Sequence, residues 1–76
     1  MCKKAMEMGN LIKKRRELLG LLQPDLAVIS GISTRTIQLV ELGKANPSLD
    51  TLIKITDPLG LTLQLELKEM TENKNE

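Results

Sequence analysis

Between Gln23 and Lys44 the chain spells two short helical segments with almost nothing between them. Pro24 and Asp25 suit a first helical turn. The proline has no N–H to leave unpaired there, and the carboxylate complements the positive end of the helix. Leu26, Ala27 and Ile29 supply an apolar side, and Ser30-Gly31 ends the segment. Ser33 offers the short hydroxyl that caps a helix N-terminus, with Thr34, Arg35 and Thr36 in the turn after it. Ile37 and Val40 lie three apart and face inward, and Leu42-Gly43-Lys44 stops this second segment. The expected helices are 23–30 and 34–42. A connection this tight admits few arrangements. Gly31 can adopt positive φ and lets the helices approach, Ala27 is small for the same reason, and Ile32, Ile37 and Val40 lock the angle from inside.

The flanks read as support. From about Glu7, Met8, Leu11, Ile12, Leu18 and Leu19 recur at helical spacing as far as a stop at Gly20, and residues 1–6 are expected to fray. Ser48 is placed to cap a fourth helix whose inner face is Leu49, Leu52, Ile53, Thr56 and Leu59. Pro58 predicts that this helix ends or kinks near Thr56. The period then becomes two: Leu61, Leu63, Leu65 and Leu67 alternate with Thr62, Gln64, Glu66 and Lys68, the pattern of a half-buried strand. The expected organisation is a helical domain over 1–60, a strand over 61–68 and a disordered acidic tail over 69–76.

At 76 residues the chain is one domain with a small core, so buried surface supplied by a partner subunit would matter. With no Phe, Tyr or Trp, that core is aliphatic, and stacking of single-stranded bases on aromatic rings is excluded. The absence of His excludes histidine acid–base chemistry and histidine-ligated metals. The lone Cys2 makes no intrachain disulfide or cysteine cluster and reads as a free thiol. No metal, cofactor or catalytic constellation is expected, so the chain does not read as an enzyme. Apolar runs are too short for a membrane span or a signal peptide, which predicts a cytoplasmic protein. Charge is divided, +4 over residues 1–54 and −3 over 55–76, which permits an anionic partner for the front part.

Two short helices at a tight turn let one helix enter the major groove of DNA while the other lies across the phosphates. The run Gln23-x-x-Leu26-Ala27-x-x-Ser30-Gly31-Ile32-Ser33-x-x-Thr36-Ile37-x-x-Val40-Glu41-x-Gly43-Lys44-x-x-Pro47-Ser48 resembles the Cro/C1-type, or XRE-family, helix-turn-helix. The likeness continues through Leu49-x-Thr51-Leu52-x-Lys54-Ile55 and covers about residues 8–60. It implies a mostly α, four- to five-helix lambda-repressor-like domain. The strand that follows is similar to HipB-like antitoxin regulators, in which strands of two subunits pair. A lone strand leaves its edge and its Leu row exposed, so pairing with a second copy through Leu61, Leu63, Leu65 and Leu67 answers both needs. Such a dimer faces half-sites roughly 34 Å apart.

By this resemblance Thr34, Arg35, Gln38 and Leu39 are base-reading positions. Arg35 suits a guanine edge, Gln38 an adenine, and Thr34 and Leu39 a thymine methyl. Gln23 is the family's phosphate-binding glutamine at the start of helix two, and Ser33, Lys44 and Asn46 are further phosphate candidates, Ser33 equally a cap. Of Lys13-Lys14-Arg15-Arg16, spread over more than one turn, one or two reach phosphates and Arg15 turns inward towards Glu41. Leu22 departs from the Thr or Asn common before the glutamine, and Leu39 from a commoner polar residue. The reading is a homodimeric repressor on an inverted-repeat operator, with a HipA-like kinase toxin as a partner implied by the resemblance. The alternative is a protein-interaction module that keeps the scaffold without reading DNA.

Overall fold

The computed structural model of the chain describes residues 3–64. Four α-helices follow one another: α1 (Lys3–Leu18), α2 (Gln23–Ser30), α3 (Thr34–Glu41) and α4 (Leu49–Thr56), with a 3-10 turn at Asp57–Leu59. The two short central helices and their boundaries match the expectation closely. Helix α1 begins at Lys3, ahead of the expected start near Glu7. The predicted end of α4 at Thr56 is observed, and Pro58 sits in the 3-10 turn, where no α-helical N–H is required of it.

Local chemistry sets each junction. Gly31 has φ +75°, and its N–H donates to Ala27 O at 2.9 Å, closing α2 in the left-handed conformation that favours glycine. The Ser33 hydroxyl accepts from Thr36 N at 3.1 Å and Ser48 does the same from Thr51 N, so both predicted caps form. Leu22, the cap position of α2, has no side-chain acceptor. Asp25 partly compensates by accepting from Leu22 N at 2.8 Å.

The core is the aliphatic cluster Ile12, Leu26, Ile37, Val40, Ile55 and Leu59. Met8, Leu21, Ala27, Ile32, Ala45 and Leu61 pack around it. Three apolar stripes depart from expectation. On α1, Leu11, Leu18 and Leu19 are exposed, and the inward stripe runs through Met8, Gly9, Ile12 and Arg16. On α2, Ile29 is exposed and Ser30 is buried instead, its hydroxyl accepting from Ile32 N. On α4, Leu49 and Ile53 are exposed, while Ile55, Thr56 and Leu59 face the core. Thr56 is tolerated there because its hydroxyl donates to Leu52 O at 2.9 Å.

Gly9 explains how closely α1 lies on α3. A Cβ at this position would stand 2.6 Å from Glu41 O and would also overlap Val40 O. Gly43 plays the reciprocal part, its α-carbon facing the Met6 backbone. Gly31 needs its positive φ but meets nothing within 4 Å, so the close approach expected at Gly31 occurs at Gly9 instead.

Residues 61–64 carry no regular secondary structure, and no strand forms among the described residues. Positions 65–68 of the expected strand and the whole 69–76 tail lie outside the described residues. Leu61 turns towards the core, whereas Leu63 is more exposed.

Candidate nucleic-acid interface

Helix α3 is sharply two-sided. Ile37, Val40 and Glu41 are buried. Thr34, Arg35, Gln38 and Leu39 lie around the other side, with Arg35 exposed and the other three half-buried. Because residues three and four apart share a helical face, Arg35 stands between Gln38 and Leu39, and Thr34 adjoins Gln38, so the four form one surface centred on Arg35. Lys44 and Asn46, in the loop that leaves α3, are exposed.

What holds α3 is a buried ion pair. Arg16 Nε donates to Glu41 Oε2 at 2.7 Å and Nη2 to Oε1 at 3.0 Å, a two-pronged contact between side chains 7% and 3% exposed. Arg16 Nη1 also donates to Leu21 O at 2.7 Å, so the guanidinium ties α1 to the turn before α2 as well as to α3. The hydrogen bond to Glu41 raises the Arg16 pKa, and burial opposes it. The arginine expected to meet Glu41 was Arg15; the structure assigns that role to Arg16. Arg15 donates to Leu59 O at 2.7 Å, capping the carbonyl end beyond α4. The helical phase decides this: Arg16 lies four residues after buried Ile12 and shares its face.

Gln23 Nε2 donates to Glu41 Oε1 at 3.0 Å. The side chain at the start of α2 is thereby fixed to the end of α3, and its amide keeps a second N–H donor. Ser33 uses its hydroxyl within the cap, donating to Thr36 Oγ1 and accepting from Thr36 N. Gln23 and Gln38 also border an open pocket of about 300 Å³ between α1 and α3, to which α1 contributes Asn10 and Lys13. Lys13 belongs to the basic run of which one or two members are expected to reach phosphates, whereas Asn10 carries no expectation from the sequence. The signal lies in phase, since Asn10 and Lys13 are three apart on one face of α1.

No group of metal-ligating side chains forms among the described residues, and no described helix is long and apolar enough to cross a membrane.

A short second helix locked onto a two-sided third helix, with the first helix tied through Arg16 to the third and to the turn before the second, defines a helix-turn-helix domain. A family profile described as helix-turn-helix matches residues 12–65, and the chain belongs to that family. It is similar to an uncharacterized HTH-type transcriptional regulator of Haemophilus influenzae, 42% identical over 50 residues, covering 66% of this chain and 51% of that protein. The chain thus spans about half the length of that relative. An uncharacterized HTH-type transcriptional regulator of Methanocaldococcus jannaschii is 40% identical over 57 residues, covering 75% of this chain and 86% of that one. Among solved structures, the restriction-modification controller protein C.AhdI from Aeromonas hydrophila superposes with a TM-score of 0.76 at 28% identity, covering 80% of this chain and 92% of that one.

Proposed function

We propose that this chain is a sequence-specific double-stranded DNA-binding transcriptional regulator, a repressor that acts as a homodimer on an inverted-repeat operator. The observation that carries the reading is the surface of α3. Arg35, Thr34, Gln38 and Leu39 line its outer side, while buried Glu41 is gripped from two directions by Arg16 and Gln23. A helix braced in this way presents its side chains to base edges in a fixed orientation, and base contacts supply specificity only when so positioned. Gln23, Ser33, Lys44 and Asn46 are proposed to meet the flanking phosphates, and the names of the relatives support the transcription-regulator part of the reading.

The homodimer reading draws on a second feature. Leu49 and Ile53, exposed on α4, border a groove with Leu63. Apolar residues collected in this way favour a partner over water. The Leu61, Leu63, Leu65 and Leu67 row is proposed to meet its counterpart there, Leu63 being exposed for it. The antitoxin role and a HipA-like kinase partner rest on the family resemblance alone.

Selection from random-sequence duplexes, followed by gel-shift, tests the proposal. The expected product is an inverted repeat with half-site centres about one helical turn apart. If no sequence is enriched even at low salt, DNA reading is wrong. The exposed Val28 and Ile29 on the outside of α2 would then favour the protein-interaction reading.

A further inference from the structure

We infer that α1 takes part in DNA binding, through a phosphate seat in the pocket between α1 and α3 where Asn10 and Lys13 meet Gln23 and Gln38. This rests on the reading that the chain binds duplex DNA, and adds a contact that the helix-turn-helix pattern in residues 23–47 does not contain.

Four observations lead there. The pocket opens beside Gln38, four residues from Thr34 on the same side of α3, so its occupant adjoins the surface proposed to face bases. A helix lying in the major groove has a sugar-phosphate strand on either side, within reach of whatever flanks it. Lys13 is exposed and enters no ion pair among the described residues, where the pairs formed are Arg16–Glu41 and Lys54–Asp50. Its ammonium is therefore free for an anion, and Asn10 adds an amide N–H donor beside it. Glu41 also borders the pocket and would repel a phosphate if its charge were bare. It is not bare: Oε2 accepts from Arg16 Nε, and Oε1 accepts from both Arg16 Nη2 and Gln23 Nε2. The buried pair thus has two consequences. It positions α3, and it removes the one charge that would oppose an anion in the pocket.

The four consecutive cations of α1 divide accordingly. Arg16 is consumed inside, Arg15 caps Leu59 O, Lys14 faces solvent, and Lys13 alone of the four borders the pocket. Lys14 is therefore an internal control of equal charge on the same helix.

The test compares full-length wild type with Lys13→Gln, Asn10→Ala and Lys14→Gln. Each is titrated against the selected operator and a scrambled duplex over a series of salt concentrations. Lys13→Gln is expected to weaken binding to both duplexes by the same factor. It should also lower the slope of log affinity against log salt by about one per bound copy. Asn10→Ala should weaken both duplexes equally with the slope retained, and Lys14→Gln should match wild type. Unfolding midpoints close to wild type would confirm that these exposed positions leave the fold intact. The inference is overturned if Lys13→Gln keeps the wild-type slope, or if Lys14→Gln lowers it as much, which would reduce the effect to general positive charge. A wild type that binds no duplex at low salt overturns the functional reading itself, and the seat with it. Retained sequence preference with an unaltered Lys13→Gln slope removes the seat alone.

Discussion

Arg16 and Glu41 are 25 residues apart in sequence and meet side by side in the interior, guanidinium nitrogens 2.7 and 3.0 Å from the two carboxylate oxygens. The pair joins the first helix to the third, and Gln23 joins it from the second. Removing one partner leaves the other charge buried without compensation, which costs about 3–5 kcal/mol. Arg16→Met or Glu41→Leu is expected to show that loss in urea unfolding, a large fraction of the stability of a domain this small. The double variant should be milder than the sum of the two, because it buries no charge. A strictly additive double variant would contradict the pairing. Since the folded state raises the Arg16 pKa, the arginine's share of this contribution is fully present below its ordinary value and is lost only as pH rises through the raised one. Alkaline titration up to ordinary lysine pKa values should therefore leave it intact.

Gly9→Ala should destabilise the fold although alanine is the better helix former by about 1 kcal/mol. The added methyl meets the Glu41 and Val40 carbonyl oxygens, backbone atoms that yield only if α1 and α3 separate. Overpacking of this kind costs about 1–3 kcal/mol or somewhat more. Gly31→Ala, with open space around its Cβ but φ +75°, should lose about 1–2 kcal/mol through backbone conformation alone. Thermal unfolding of the two variants, with Gly31→Asn as the partial rescue, separates steric from conformational cost. Gly9→Ala more stable than wild type would refute the close approach.

Arg35→Ala is expected to cost about 1–3 kcal/mol in operator affinity and to relax preference at one base pair, as loss of a two-pronged guanine contact would. Lys44→Ala should instead weaken all duplexes alike. Parallel random-sequence selections check both. An unchanged consensus for Arg35→Ala would remove that residue from base reading.

Ser33→Ala removes the acceptor for Thr36 N and should cost about 1 kcal/mol of stability. Ser33→Gly should cost only a few tenths. Chemical denaturation ranks the two. Equal losses would argue against the cap as the source.

Ile53→Glu places a charge on an exposed position of α4, so the single copy should stay folded. If α4 and the following Leu row form the dimer, sedimentation should show this variant monomeric where wild type is dimeric. A chain lacking residues 61–76 should likewise be monomeric or unfolded. Dimeric Ile53→Glu would exclude α4 from the interface.

Most of the element order was legible from residues 23–59, because the signals there are local. Proline and Asp at a first turn, Ser at two caps, glycine after α2 and Pro58 after α4 each act within a few residues of themselves. The inward faces were less legible. Helix α1 turns a glycine and an arginine to the interior, so counting apolar residues shifts its stripe towards Leu11, Leu18 and Leu19. Helix α4 has apolar residues on two sides, and Leu49, Leu52, Ile53 and Thr56 satisfy helical spacing as well as the set that is buried.

The candidate interface divides the same way. The spacing from Gln23 to Pro47 determines two short helices, a tight turn and an outer row of Thr34, Arg35, Gln38 and Leu39. Those features follow from dihedral preferences and the 3.6-residue period, both properties of neighbouring residues. Where α1 touches α3 without a side chain between them, and that Asn10 and Lys13 stand beside Gln23 and Gln38, were decided only by tertiary packing. Each depends on the rotation and separation of helices distant in sequence, and close packing of a small aliphatic core settles those quantities for all the helices together.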